Sequence, residues 1–330
     1  MPSYIVLPDL PAHCPFEVRL NPHMETAGRE SEDWVVDGGN LGAKHAAKLR
    51  GVKARLLTAG CYPDADFDEF RLCCDVMNWL FHYDNLTDDM DQAGARNAGD
   101  IVMDTMLHPD TYISDSRIGK LTRSFWLRFL KIASPGAQKR FIDTTRSFLA
   151  AIEQEARDRR AGVIPDLESY IQQRRHTGGV LPCFILAEYA SHLTLPDEVV
   201  EHPVLKNMAD ASNDFVCWSN DLFSYNVEQA RGDTHNIVIV VMREQNLDLQ
   251  SAIDVVGEMC KSTIDRFLEN QALLPSWGPE IDAQLVPYVA CMADWIGGSL
   301  NWSYESDRYM GGKSEEVKRT RIVQLLPKKV

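Results

Sequence analysis

Ile237-Val238-Ile239-Val240-Val241 is the one stretch of this 330-residue chain that reads as a buried β-strand. Every residue in it is β-branched, which suits a pleated surface better than a helix. A strand needs a partner, and no second or third apolar run is present for it to pair with. The stretch is therefore assigned to a buried helix, and with it the fold becomes all-α. On either side, Pro and Gly cut the chain into helix-sized pieces. After a Pro-rich lead (Pro2, Pro8, Pro11, Pro15, Pro22), Leu41 to Ala59 reads as one helix closed by Gly60 and Pro63. Asp64 to Phe81 reads as the next, with Phe67, Phe70, Cys73, Val76, Met77, Leu80 and Phe81 at helical spacings. Further helices are expected over residues 119–132, 136–160, 166–177, 181–193, 202–228, 249–270, 281–304 and 315–326. The expected architecture is a single-domain helical bundle around a shared apolar interior.

Composition narrows the function. Hydrophobic residues make up 45% and charged residues 25% of the chain, which excludes a disordered chain, a collagen-like fibre and a coiled-coil rod. A formal net charge of −14 removes the basic footprint that a nucleic-acid backbone or an anionic membrane surface requires. No apolar run approaches the ~20 residues of a membrane span. The N-terminus lacks the basic start and apolar core of a secretory signal, so a cytoplasmic protein is expected. Eight cysteines and nine histidines are scattered without Cys-x-x-Cys or His-x-x-x-His, so zinc is not indicated and the thiols are expected to be buried and reduced. There is no Gly-x-x-x-x-Gly-Lys phosphate loop.

Two polar stretches stand out against this background. In Trp79-Leu80-Phe81-His82-Tyr83-Asp84-Asn85-Leu86-Thr87-Asp88-Asp89-Met90-Asp91, Asp84 and Asp88 lie one turn apart on one helix face. Their mutual repulsion and their place near a helix C-terminus, ahead of Gly94, Asn97 and Gly99, both oppose the arrangement unless a cation is bound. A solvated acidic helix end is the plain alternative, weakened by the apolar and aromatic residues directly before it. In Asn220-Asp221-Leu222-Phe223-Ser224-Tyr225-Asn226-Val227-Glu228, residues Asn220, Ser224 and Glu228 form a stripe along one face. Their amide, hydroxyl and carboxylate oxygens are hard donors that suit magnesium. A polar seam facing water must explain why it runs among Phe215, Trp218, Leu222 and Phe223.

With these residues the chain resembles the class I terpene synthases, most closely the microbial, fungal-type sesquiterpene synthases. The Asn220/Ser224/Glu228 stripe matches that family's Asn-Asp-x-x-Ser-x-x-x-Glu triad at every defining position. The Asp84–Asp88 stretch resembles its aspartate-rich motif, with Asn85 in place of the usual second acid. Arg174 stands 46 positions before Asn220, at the place of the family's diphosphate-sensing arginine. Arg308-Tyr309 begins 80 residues beyond Glu228, where the family has an Arg-Tyr pair.

The resemblance implies the class I fold, a helical bundle around a central hydrophobic cavity. It implies three magnesium ions, with manganese possible, held by Asp84, Asp88, Asn220, Ser224 and Glu228. Arg174, Arg308 and Tyr309 would grip the diphosphate, Thr177 would act as linker, and the carbonyl of Gly178 would be pushed towards the substrate. Independently, Pro182 removes the donor to that carbonyl, so a kink is expected there. Phe81, Phe215, Trp218 and Trp302 are expected to wall the pocket with aromatic faces.

The implied activity is ionisation of a linear isoprenyl diphosphate, chiefly farnesyl diphosphate, to a sesquiterpene hydrocarbon or alcohol. Alternatives are a synthase using geranyl diphosphate or forming an acyclic alcohol, and a non-catalytic prenyl-binding or scaffold protein. A chain-elongating synthase would need a second Asp-Asp-x-x-Asp, which is absent. The chain is expected to act as a monomer or homodimer. Residues 1–40 are expected to pack on or cap the bundle, and residues 305–330 to order partly on ligand binding.

Overall fold

The structure is a computed structural model that describes residues 3–88 and 90–328; Met1, Pro2, Asp89, Lys329 and Val330 of the stretches named above lie outside them. Helices α1 (Leu10–His13), α2 (Thr26–Gly39), α3 (Ala43–Gly51), α4 (Ala54–Cys61) and α5 (Phe67–Thr87) come first. They are followed by α6 (Gln92–Leu107), α7 (Arg117–Phe129), α8 (Pro135–Ala161), α9 (Leu167–Thr177) and α10 (Val180–Ala190). The chain continues through α11 (Asp197–Val200), α12 (Pro203–Arg231), α13 (Ile237–Glu244), α14 (Leu249–Ala272), α15 (Pro279–Glu305) and α16 (Ser314–Thr320). The β-branched run at 237–241 is helical, as the absence of pairing partners requires, and its Ile237, Val238, Val240 and Val241 are buried.

Helix starts follow capping chemistry. Asp91, Ser116, Ser134, Asp166 and Asp248 each accept a hydrogen bond from the backbone N–H three residues on, a contribution of about 1 kcal/mol per cap. The caps also show why α6 is a helix against the sequence reading. Gly94, Asn97 and Gly99 look like terminators, yet Asp91 caps a new helix that runs through all three. A Cβ at Gly99 would meet Leu149 of α8 and the Tyr83 hydroxyl of α5 at 3.6 Å, an ordinary van der Waals contact, so this glycine neither ends the helix nor is demanded by its packing. Helix α2, inside what reads as a Pro-rich lead, is also additional to the expected set.

The expected helix over 41–59 is two helices, broken where Lys53 takes φ 55°. The break frees the Val52 carbonyl, which accepts hydrogen bonds from Trp302 Nε1 (2.6 Å) and Ser306 Oγ (3.3 Å). Gly60 does not close a helix. It lies within α4, where α15 crosses so closely that a Cβ would come 3.0 Å from the Gly298 Cα. A small antiparallel sheet, absent from the sequence reading, pairs β1 (Tyr4–Val6) with β2 (Ile322–Gln324). The segment read as the end of a helix over 315–326 thus turns into a strand. It docks on α12, with Asn226 bridging the Gln324 carbonyl and the Leu326 N–H.

An aromatic cluster anchors the end of the bundle formed by α5, α7 and α8. Trp79, Phe125, Trp126, Phe129 and Phe141 are all buried, and the Trp126 and Phe129 rings stack at 5.3 Å. Their indole N–H groups are satisfied by Thr122 Oγ1 and the Met106 carbonyl, so this burial carries no polar penalty there. Among the described residues no helix is long and apolar enough to cross a membrane.

Candidate active site

A cavity of about 690 Å³ opens between α5, α8, α9, α10, α12 and α15. Its size falls in the range of small-molecule sites. The deep part is lined by Leu57, Met77, Leu80, Phe148, Ile152 and Trp295, and the mouth by acids and arginines. Asp84, Asp88, Asn220, Glu228, Arg174, Thr177, Gly178, Phe81, Trp302 and Arg308 all face this space.

Helix α12 forms one wall. Residues 213, 216, 217, 220, 224 and 228 fall on one side of it by the 3.6-residue period. Asn220 Oδ1 accepts from Arg174 Nη2 (2.9 Å), and its amide donates to the Tyr309 hydroxyl (2.6 Å). Tyr309 therefore meets the cavity through Asn220. Ser224 is buried on the same stripe, with Oγ 3.4 Å from the Asp221 carbonyl. Glu228 Oε2 accepts from Asn236 Nδ2 at 2.9 Å. On the opposite wall, Asp84 lies in the last turn of α5 and Asp88 is its C-cap, the Asp88 N–H bonding the Asp84 carbonyl at 3.0 Å. Arg308 Nη2 stands 3.8 Å from Asp84 Oδ2, and its guanidinium lies 5.7 Å from the centroid of Phe81. The Phe81 and Trp302 rings meet at 5.8 Å.

Between α9 and α10 the chain breaks at Gly178-Gly179, the expected kink. Gly179 takes φ +67°, which favours glycine, and a Cβ on Gly178 would collide with Cys217 Sγ of α12. Pro182, in the first turn of α10, has no N–H to offer the Gly178 carbonyl.

Phe215 and Trp218 do not reach the cavity. They precede Asn220 by five and two residues, which turns both away from its face at about 100° per residue. Phe215 is fully buried in the core, and Trp218 lines a separate surface groove with Asp254, Met259 and Arg266. Val216 and Cys217 occupy the cavity-facing positions instead.

The electrostatics suit a cation at the mouth. Burial and then the neighbouring Asp84 push Asp88 up to about 6, and burial followed by Asp221 pushes Glu228 up to about 7. Glu155 is also raised to about 7, by burial against the opposing pull of Arg174. The carboxylates on the two walls do not converge: among the described residues no three His, Cys, Asp or Glu side chains are grouped to hold one ion. Each wall thus offers a partial set of oxygen donors, which fits hard cations whose remaining ligands come from a substrate or water.

Residues 75–266 match the family model described as "Terpene synthase family 2, C-terminal metal binding". The chain belongs to the terpene synthases. It is 50% identical over 328 residues to sesquiterpene synthase 1 of Postia placenta, covering 99% of this chain and 97% of that one. It is 49% identical to sesquiterpene synthase Agr1 of Cyclocybe aegerita, covering 98% and 94%. The fold is that of α-eudesmol synthase, with a TM-score of 0.81 at 22% identity over 88% of this chain and 98% of the other. Membership of a metal-binding terpene synthase family makes this an enzyme that uses a divalent metal.

Several cavity residues of this terpene synthase escape a reading by motif. Glu155 and Arg159 line the mouth from α8, although Arg159 sits in an Arg157–Arg160 run that looks like a solvated face. The i, i+4 spacing of the pair was the only signal. His235, in the loop between α12 and α13, also lines the cavity. Burial and then Arg174 push it down to about 4, so its imidazole is neutral. Arg175, next to the sensor position, is held away from the cavity by Asp214, at 2.7 and 2.8 Å.

Proposed function

We propose that this terpene synthase is a magnesium-dependent sesquiterpene synthase that ionises farnesyl diphosphate and releases a hydrocarbon or alcohol plus diphosphate. The observation that carries the reading is the cavity's polarity: an aromatic and aliphatic interior closed by a mouth of arginines and oxygen donors. The names of the relatives at about half identity support the C15 substrate.

Asp84 and Asp88 on one wall, and Asn220, Ser224 and Glu228 on the other, would hold three magnesium ions. When bound, the ions stabilise the negative charge that collects on the departing diphosphate. Arg174 and Arg308 donate paired N–H groups to the same oxygens, an interaction that strengthens as the carbon–oxygen bond breaks. Tyr309 orients Asn220 from behind. The Gly178 carbonyl, lacking a donor from Pro182, presents its negative end to the developing allylic cation. Phe81 and Trp302 face that cation, each ring contributing about 0.5–2 kcal/mol. The apolar floor excludes water until proton loss or a single water quenches the final cation.

The test is incubation with the C10, C15 and C20 diphosphates, with and without Mg²⁺, followed by mass spectrometry of the volatiles. The expected result is a sesquiterpene from the C15 substrate only with the metal. Products from the C10 substrate alone would replace the substrate assignment, and no product from any would overturn the reading.

A further inference from the structure

Asp221, the second residue of the triad motif, belongs to none of the groups assigned above, yet it is the most heavily bonded side chain at the cavity. It is 2% exposed. Oδ1 accepts from Arg174 Nε at 3.0 Å, with Nη2 of the same guanidinium at 2.9 Å. Oδ2 accepts from the Tyr170 hydroxyl (2.5 Å) and from the backbone N–H of Ile237 (3.0 Å). The Asp221 backbone carbonyl accepts from Asn236 Nδ2, and the same amide holds Glu228.

Asp214, two turns earlier on α12 and fully buried, makes the useful contrast. Its two oxygens are saturated by two guanidiniums, from Arg175 and Arg266, and it does not line the cavity. That is a closed structural pair. Asp221 has one guanidinium, and its other donors are neutral. Arg174 lies along Asp221 by its Nε edge, spends Nη2 on Asn220, and has no hydrogen bond from Nη1 among the described residues. The rigid fork of a guanidinium then fixes where the free N–H groups point.

We propose that Asp221 is a positioning residue for diphosphate recognition: it holds the Arg174 guanidinium at the mouth of the cavity and ties it to Asn220 and Glu228 on the same wall. The contact with Asn220 makes Arg174 and a metal-donor oxygen part of one unit, so diphosphate drawn to Arg174 is registered at Asn220. This inference rests on the proposed diphosphate chemistry but is read by a different measurement.

The experiment is calorimetric titration of inorganic diphosphate with Mg²⁺ into the full chain, comparing wild type, Asp221→Asn, Tyr170→Phe and Asp214→Asn, alongside melting curves and steady-state kinetics. Loss of such a supporting group costs about 10–100-fold in affinity. Asp221→Asn should weaken diphosphate by that factor and raise KM more than it lowers kcat. Tyr170→Phe, a milder change, should weaken it several-fold. Asp214→Asn should lower Tm while keeping wild-type diphosphate affinity. Equal affinity losses in the Asp214 and Asp221 variants, or an Asp221 variant with lowered Tm and unchanged affinity, would overturn the proposal. So would a normal affinity for Tyr170→Phe if Asp221→Asn does not fold. Wild type that binds diphosphate yet turns over no prenyl substrate would end the synthase reading and leave the positioning role standing. Wild type that binds none would end both.

Discussion

The two walls of the cavity carry similar oxygen donors in opposite states of order. On α12, Asn220 is held at both ends of its amide, by Arg174 and Tyr309, and Glu228 is held by Asn236. On α5, Asp84 has only Arg308 at 3.8 Å among the described residues, and its side chain is 39% exposed. Asp88 only caps the end of the helix, and Asn85 is turned away, bonded to Lys48 and to the Phe81 carbonyl. One wall is positioned before any ligand arrives. The other is left to be completed by it, as expected of a helix C-terminus where the backbone dipole and two like charges all disfavour order without a cation.

The largest expected effects are therefore on α12. Asn220→Ala or Glu228→Ala should lower kcat/KM by on the order of 10³ while the melting temperature changes little, measured by product formation and thermal melts. Near-normal turnover in either variant would break the claim that the ordered wall holds the metal. The α5 wall should be more forgiving. Asp88→Asn is expected to cost about tenfold, and raised Mg²⁺ should recover much of it, because a loosely held donor contributes mainly to affinity. Failure of high Mg²⁺ to rescue this variant would mean that the two walls are equally demanding.

The same difference has a pH signature. In the metal-free protein Glu228 is held at about 7 and Asp88 at about 6, so a cation must expel their protons at low pH. Acids raised in this way contribute fully to the metal-free fold only below the ordinary carboxylate range, about 4, and that contribution is lost as pH rises from there through the folded values of about 6 and about 7. The liganded form gains over the same window. Apparent affinity for Mg²⁺ with inorganic diphosphate, read as a thermal shift, should thus be about tenfold weaker at pH 6 than at pH 8, the size expected for one group near 7. A flat profile would remove Glu228 from the donor set.

How much of this was legible depends on which face of a helix each residue takes. The all-α class followed from one β-branched run without pairing partners, and the triad stripe from its i, i+4, i+8 spacing. The break at Val52-Lys53 was not legible, because its purpose is to free a carbonyl for Trp302, which lies 250 residues away in sequence. Helix α6 was hidden by glycines that look like terminators, while the residue that starts it, Asp91, sits inside the acidic stretch. Glu155 and His235 come to the mouth through tertiary packing, with no local pattern that distinguishes them from solvated residues. Asp221 was in plain view inside the motif, but its role depends on Tyr170, Arg174 and Ile237 meeting around it.

The smallest expected effect tests the one place where nearness in sequence misleads. Phe215 and Trp218 sit within five residues of Asn220 but project from the far side of α12, whereas Trp302 meets Phe81 in a tilted contact at the cavity. Trp218→Phe should leave the product spectrum unchanged, because the altered ring touches the α14 groove and no part of the substrate space. Trp302→Phe keeps an aromatic face but loses the indole N–H that fixes it to the Val52 carbonyl. The freed ring changes the contour offered to the cation, so the ratio of products should shift while total turnover falls only modestly. A product shift from Trp218→Phe as large as that from Trp302→Phe would mean that product choice is set by general packing of α12 rather than by the surfaces that enclose the cation.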